Sequence, residues 1–122
     1  VVAGVPGPEV DAVLDRWCRD DDFWLRRSGL LAELRPLAAG QPFGRFARHA
    51  DLLLDEREFF IRKAIGWVLR ETGKRRPADV IDYVLPRASR LSGVTWREVV
   101  RRLPPDVVAR LEAARRGQGT VP

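Results

Sequence analysis

The chain has 122 residues, of which 45% are hydrophobic and 32% charged, with a net charge of +5 and a sequence pI near 10.6. A single Cys and a single His exclude an internal disulfide and a Cys/His metal centre, so we expect no metal and no redox role. We also expect no cofactor. No run approaches the roughly 18 apolar residues of a membrane-spanning helix, and the opening VVAGVPGPEV lacks a basic n-region, so we expect a cytoplasmic protein without a signal peptide.

Charge is divided unevenly along the chain. Residues 1–60 carry 8 Arg against 11 acidic residues, a net −3, whereas residues 61–122 carry 14 basic against 6 acidic residues, a net +8. Of the 22 basic residues 20 are Arg, whose planar guanidinium can bind a phosphate through two hydrogen bonds. This asymmetry favours a polyanionic partner, with nucleic acid preferred over a membrane surface.

Nearly every segment carries apolar residues at helical spacing, and the period-two alternation of strands is absent. The sequence therefore predicts an all-α protein. The predicted helices are one after Pro8, one capped by Asp22 that ends near Leu37, one from Pro42 to about Leu54, one from about Glu56 to Thr72 stopped by Gly73, one that begins at Pro77, one whose capping box is Thr95 with Glu98, and one that begins at Pro105.

Internal similarity indicates how these helices are arranged. FWLRR at residues 23–27 aligns with FFIRK at residues 59–63 after a shift of 36, and Trp96-Arg97 extends the pattern 35 residues further on. A period of this size, with two helices and no strand, is typical of a solenoid in which each helix pair buries its apolar face on the next. We predict about three helix pairs plus a terminal helix in residues 1–116, followed by a flexible tail in residues 117–122.

The helix predicted over residues 56–72 carries a tryptophan on the side that should face solvent. At about 100° per residue, Lys63, Trp67, Arg70 and Lys74 fall on the side opposite the apolar arc. A purely structural helix would carry only solvated charge there, so we take Trp67 as a candidate functional residue and the three cations as candidates for binding phosphate. The apolar arc, which we assign to the core, consists of Ile61, Ala64, Ile65, Val68 and Leu69.

Arg27 lies on the preceding helix, at the position equivalent to Lys63. Its charge cannot be left in a dry core without a partner. Two interpretations stay open: an anion in an open groove, or an acidic neighbour such as Asp20 or Asp21. We expect Trp24, one turn before Arg27, to lie in the core rather than in a groove wall, because large aromatic residues at helical spacing usually pack. The apolar neighbours of Arg27 on its arc are Phe23, Leu30, Leu31 and Leu34.

Three stretches, FWLRRSGLLAEL, DEREFFIRKAIGWVLRETGK and LSGVTWREVVRRL, carry a resemblance to a known family. They resemble the DNA alkylation repair enzymes, HEAT-like-repeat glycosylases that release alkylated purines from DNA, and the likeness runs from about Val10 to Leu103. It implies a right-handed solenoid of HEAT-like antiparallel helix pairs that binds alkylated double-stranded DNA in a basic concave groove. It also implies excision of cationic bases such as 3-methyladenine or 7-methylguanine by the full-length form.

The resemblance also implies roles for individual residues. Trp67 would be an aromatic residue beside the deoxyribose of the lesion, and Arg70 and Arg27 would hold the DNA backbone. Breaking the glycosidic bond passes through an oxocarbenium-like sugar, which nearby negative charge and electron-rich aromatic faces stabilise. In the family a catalytic Asp, preceded by Trp, lies one repeat before the position of Arg27. That repeat would fall before Val1. None of the aspartates near the start of the chain follows a tryptophan as the catalytic Asp of the family does; these are Asp11, Asp15, Asp20, Asp21 and Asp22. We therefore expect this chain to lack the catalytic Asp. Whether the chain is an enzyme stays open.

Two alternative functions are compatible with the same fold. One is a non-catalytic DNA-binding module, and the other is a HEAT-like scaffold whose basic groove binds an acidic protein segment. Trp67 among cations argues against the scaffold, since a protein-binding groove would more often show several exposed apolar anchors. A solenoid cut at one end exposes apolar surface, so self-association through the exposed N-terminal repeat face is a further expectation.

The remaining conspicuous residues are interpreted structurally. We expect His49 to be a surface or partly packed helix residue, because no nucleophile accompanies it. Cys18 is expected to be a small buried residue of the core. The GKRR run, Arg101 and Arg102 are secondary candidates for phosphate binding.

Overall fold

In the computed structural model, the backbone is described for residues 8–120 and the side chains for residues 8–117. Every regular element in this part of the chain is helical, which confirms the all-α prediction. The elements are α1 (Pro8–Cys18), α2 (Phe23–Leu31), α3 (Leu34–Ala38), α4 (Gly44–Leu53), α5 (Phe59–Gly73), α6 (Pro77–Val84), a 3-10 helix (Leu85–Arg90), α7 (Gly93–Val100) and α8 (Pro105–Thr120).

The end of the chain bears on the predicted tail. Helix α8 continues to Thr120, so it includes the backbone of residues 117–120. Val121 and Pro122 lie outside the described residues. The flexible tail over residues 117–122 stays a prediction.

Helix α2 begins where the sequence predicts and ends earlier. Asp22 caps it, accepting a hydrogen bond from the backbone N–H of Trp24 at 2.9 Å. The predicted continuation to Leu37 is wrong, because the helix stops at Leu31 and α3 starts separately. Pro36 explains the break: it has no N–H to donate to the carbonyl of Ala32, and its ring crowds that carbonyl.

Helix α5 begins at Phe59 rather than Glu56, because its N-cap residue Glu58 is extended, with φ −64° and ψ 123°. Gly73 is the last residue of the helix. It has no positive φ; among the described residues only Gly40 does, with φ 88°. Gly73 therefore ends α5 without the left-handed conformation that a glycine cap usually supplies.

The core is built around α5, which packs against α2, α3, α6 and α7. All five residues of the predicted apolar arc are buried, and they belong to one hydrophobic cluster with residues of α2, α4, α6, α7 and α8. Helices α2, α5 and α7 contain the three similar segments, and α5 lies between the other two. Equivalent segments are therefore neighbours, as stacked repeats require, whereas the right-handed solenoid of helix pairs stays a prediction.

Helices α1 and α4 pack against each other and bury polar side chains. The prediction of a surface or partly packed His49 is wrong, because its side chain is only 2% exposed and its Nε2 atom contacts the carboxylate of Asp15. That hydrogen bond lowers the pKa of Asp15. Cys18 is buried as predicted, and burial raises the pKa of its thiol to about 12.

Candidate functional site

The face of α5 opposite the core carries the four predicted residues Lys63, Trp67, Arg70 and Lys74, which we call the α5 surface. The side chains of Lys63 and Lys74 are exposed by 45% and 42%, respectively. Trp67 and Arg70 are half-buried. The helical spacing thus places an aromatic ring between cations outside the core, although the indole is partly covered rather than fully exposed.

Trp67 lines an open cleft of about 440 Å³ between α3 and the second half of α5. One wall is apolar and comes from α3, and charged residues of α5 and the segment after it form the other side. A tryptophan on a cleft with polar residues can offer its ring face to a bound molecule while its other side stays packed. The residues that line the cleft are Leu34, Leu37, Ala38, Trp67, Glu71, Thr72, Lys74 and Arg75.

A buried carboxylate from α7 lies behind the α5 surface. The side chain of Glu98 is 4% exposed and accepts hydrogen bonds from Lys63 Nζ at 2.8 Å and Arg70 Nη1 at 2.5 Å. The Lys63 hydrogen bond lowers the pKa of Glu98, although burial opposes the shift, so the group is ionised at neutral pH. Arg101 lies 3.9 Å from the same carboxylate and is 57% exposed.

Glu98 is a residue that sequence reasoning placed in the wrong role. The expected capping box of Thr95 with Glu98 is wrong, because Ser92 caps α7 and its hydroxyl accepts from the backbone N–H of Thr95 at 3.1 Å. The available signal was the repeat itself. The shift of 35 residues maps Lys63 onto Glu98, and adjacent repeats bring equivalent positions side by side, here with opposite charges.

A second carboxylate, Glu71, lies on α5 at the edge of the cleft. It pairs with Lys74 at 2.9 Å and, less closely, with Arg70 at 3.3 Å. The hydrogen bond from Lys74 lowers the pKa of Glu71. Every cation of the α5 surface therefore has a carboxylate partner, and any anionic ligand shares these cations with Glu71 and Glu98.

Arg27 differs from these cations, because no carboxylate among the described residues lies within ion-pair distance of it. Its neighbour Arg26 donates to the backbone carbonyl oxygens of Asp20 and Asp21 at 2.7 and 2.9 Å, and it forms an ion pair with the carboxylate of Glu56 at 2.7 Å. The guanidinium of Arg27 lies 5.8 Å from the ring centroid of Trp24. Within the described chain, the acidic-neighbour interpretation of Arg27 is therefore wrong.

The expectation that Trp24 lies in the core is also wrong, since it is 49% exposed. Its ring packs against those of Phe23 and Phe60 at centroid distances of 4.5 and 5.0 Å. Phe59 and Phe60 are themselves exposed by 49% and 40%. These four rings, from the first turns of α2 and α5, form an aromatic cluster in which Trp24, Phe59 and Phe60 are exposed and Phe23 packs against the core.

The described part of the chain contains no group of three or more His, Cys, Asp or Glu side chains that could hold a metal ion. None of its helices is both long enough and apolar enough to cross a membrane.

Comparison with known proteins identifies a family. A protein-family model described as DNA alkylation repair enzyme matches residues 1–103, a range that contains all of the α5 surface, Arg27 and Glu98. Neither the curated proteins nor the solved structures contain a match to this chain.

Proposed function

This chain belongs to the DNA alkylation repair enzyme family, and from that premise we propose that it binds alkylated double-stranded DNA through the α5 surface and Arg27. The observation that supports the proposal most directly is Trp67, a half-buried indole on an open cleft with a cation one turn away on each side. A protein that repairs alkylated DNA has to bind phosphates and approach a cationic base, and this arrangement offers groups suited to both.

Each residue of the proposed contact has a chemical task. Arg27 and Arg70 bind phosphates of the backbone, and Lys63 and Lys74 add positive charge along the same strand. The π face of Trp67 lies against the lesion, where it stabilises the positive charge of an alkylated purine or of the oxocarbenium-like sugar that forms on its departure. Affinity from such contacts weakens steeply with salt.

Excision of 3-methyladenine or 7-methylguanine needs negative charge beside the sugar in addition to an aromatic face. The two carboxylates at the α5 surface, Glu71 and Glu98, both form ion pairs with cations of that surface. These cations neutralise the negative charge of the carboxylates. We therefore assign DNA binding to this chain and base release to a form of the protein that supplies the catalytic Asp of the family. On this proposal the chain by itself is a DNA-binding unit of an alkylpurine DNA glycosylase.

The test uses two duplexes of equal length, one with a single 7-methylguanine and one unmodified. Fluorescence anisotropy measures binding of the purified chain to each duplex, and chromatography of the same mixtures measures free base. We expect binding to both, tighter for the methylated duplex, with no free base. Failure to bind either duplex would contradict the proposal, and release of 7-methylguanine would show that a carboxylate of this chain suffices for excision.

A second candidate function, protein binding, is favoured by the exposed aromatic cluster. Phe59, Phe60 and Trp24 supply the several exposed apolar anchors that are typical of protein interfaces. This candidate predicts that replacing Phe59 and Phe60 by Ala lowers affinity for a protein partner and leaves duplex binding unchanged. The two functions are therefore separable in the same pair of variants.

A further inference from the structure

We infer that Glu98 is a positioning residue for DNA binding, which holds Lys63 and Arg70 in place on the two sides of Trp67. The inference rests on the proposed function, because it concerns the same surface. It assigns to α7 a task in a site whose DNA contacts lie on α5 and α2.

The geometry of the three side chains supports this assignment. Lys63 precedes Trp67 by four residues and Arg70 follows it by three, so the two cations lie about one helical turn to either side of the indole. One oxygen of Glu98 accepts from Lys63 and the other accepts from Arg70. The carboxylate thus joins the two cations and sets the spacing of their charges.

Glu98 itself is held firmly in place. Gly66 permits α7 to approach α5 so closely that a Cβ atom at this glycine would lie 2.6 Å from the Cβ of Glu98. The hydroxyl of Thr95 donates to the carbonyl of Arg62 at 2.9 Å, which joins the first turn of α7 to the backbone of α5. A carboxylate held in place by these two contacts can restrict the rotamers of the flexible side chains that it binds.

The bridge leaves the two cations able to bind a phosphate. Lys63 has three donors and gives one to Glu98, and Nη2 of Arg70 donates no hydrogen bond among the described residues. Both cations can therefore donate hydrogen bonds to a phosphate while they stay bound to the carboxylate. Holding long side chains in the bound geometry beforehand reduces the entropy that binding has to remove.

The substitution Glu98→Gln separates positioning from simple electrostatics. It makes the surface more positive by one charge, and charge alone predicts tighter binding to DNA. Positioning predicts the opposite, a loss of about threefold to tenfold in duplex affinity, because Lys63 and Arg70 lose their common anchor. The matched control is Glu112→Gln on α8, which makes the same change of charge at a carboxylate that is 49% exposed and 4.0 Å from Arg116; it is expected to leave affinity unchanged or slightly raised.

A double-mutant cycle separates positioning from a merely structural role. Glu98→Gln is combined with Lys63→Ala and Arg70→Ala, and duplex affinity is measured in both backgrounds. If Glu98 acts through the two cations, Glu98→Gln costs no further affinity once they are absent. An equal loss in both backgrounds would overturn the inference, as would an affinity in the single variant equal to or above that of the unmodified protein.

The variant Glu98→Asp covers the case in which Glu98→Gln does not fold. It keeps the charge but retracts it by one methylene, so it is expected to weaken duplex binding several-fold, and unchanged binding would overturn the inference. Circular dichroism at the assay temperature verifies the fold of each variant. If the unmodified chain does not bind DNA, the proposed function fails and this inference fails with it; if it binds and depends on Lys63 and Arg70 but not on Glu98, only this inference fails.

Discussion

Trp67 lies off the apolar arc of α5, and its burial is partial. The substitution Trp67→Ala is therefore expected to lower duplex affinity several-fold by removal of an aromatic contact, and to change the melting temperature by only a few degrees. Anisotropy and thermal denaturation measure the two quantities. Trp96, which packs against the core and lies 4.9 Å from the guanidinium of Arg115, is the matched control.

Trp96→Ala is expected to show the reverse pattern, a clear loss of thermal stability with duplex affinity retained by the protein that remains folded. If Trp67→Ala lowers the melting temperature as much as Trp96→Ala does, the indole of Trp67 belongs to the core. Trp67 then has no role as a binding residue of the α5 surface. The two tryptophans thus distinguish a functional aromatic residue from a structural one within a single chain.

Arg45 illustrates how strongly a single buried ion pair constrains this protein. The side chain of Glu33 is 3% exposed, and its carboxylate accepts hydrogen bonds from Arg45 Nε at 2.8 Å and from Arg45 Nη2 at 3.0 Å. Arg45→Ala leaves that charge buried without its partner, so we expect a loss of about 3–5 kcal/mol in the free energy of unfolding. The control Arg48→Ala, on the same helix but 59% exposed, should change it by at most about 0.5 kcal/mol.

Chemical denaturation of the two variants measures the difference. Similar free energies of unfolding for Arg45→Ala and Arg48→Ala would mean that Glu33 is hydrated in solution and that the pair contributes little.

The contact between α5 and α7 depends on Gly66. A methyl group there would lie 2.6 Å from the Cβ of Glu98 and 3.2 Å from the carbonyl oxygen of Thr95, neither of which is a flexible side-chain end. Gly66→Ala should therefore lower the free energy of unfolding by about 1–3 kcal/mol, despite the better helix propensity of Ala. Gly73→Ala, on the same helix with its nearest neighbours at 3.8 Å and no positive φ, should be neutral or stabilising by up to about 1 kcal/mol.

Urea denaturation compares the two glycine variants directly. A stable Gly66→Ala protein would mean that α7 can move away from α5 at little cost, and the close approach that buries Glu98 would lose its importance.

Several elements follow from local sequence, and their exceptions have physical reasons. Asp22, Pro77 and Pro105 mark helix starts correctly because capping and proline geometry are local effects. The break before α3 depends on Pro36. The apolar residues keep their helical spacing through this proline, so the periodicity alone predicted one continuous helix. The cap of α7 was misplaced because Ser92 and Thr95 are both good capping residues, and the choice between them depends on the contact of Thr95 with α5.

Ion pairs that lower the pKa of their carboxylates make the stability of the protein depend on pH in the acid range. Burial opposes the shift at Asp51, but the hydrogen bonds from Arg87 at 2.7 Å and Tyr83 at 2.8 Å lower its pKa below the ordinary 3.8. A carboxylate whose pKa is lowered by folding stabilises the protein above its unfolded pKa, and this stabilisation is lost as pH falls through the folded pKa. The melting temperature should therefore fall as pH decreases below about 5.

Asp51→Asn should have a lower melting temperature at pH 7 and a smaller further decrease in acid, because the variant lacks this titrating group. Thermal denaturation across the pH range measures both. Parallel curves for the variant and the unmodified protein would assign the acid sensitivity to other carboxylates, such as Glu98.

The candidate site was only partly accessible from sequence. Helical spacing placed Lys63, Trp67, Arg70 and Lys74 on one face, because the geometry of a single helix is fixed by its backbone. The carboxylate behind them comes from another element, and the pairing depends on how α7 packs on α5. The net positive charge of residues 61–122 also gave incomplete information about the site. Composition does not indicate which cations already have acidic partners in the folded protein.

Arg27 allows a direct test of whether α2 and α5 present a DNA-binding surface, because no described carboxylate lies within ion-pair distance of its guanidinium. The measurement is the dependence of duplex affinity on salt concentration for Arg27→Ala, with Arg48→Ala as an equally charged control. We expect weaker binding and a slope smaller by about one unit for Arg27→Ala, with the slope of Arg48→Ala unchanged. Equal affinity and slope in Arg27→Ala and the unmodified protein would contradict this expectation.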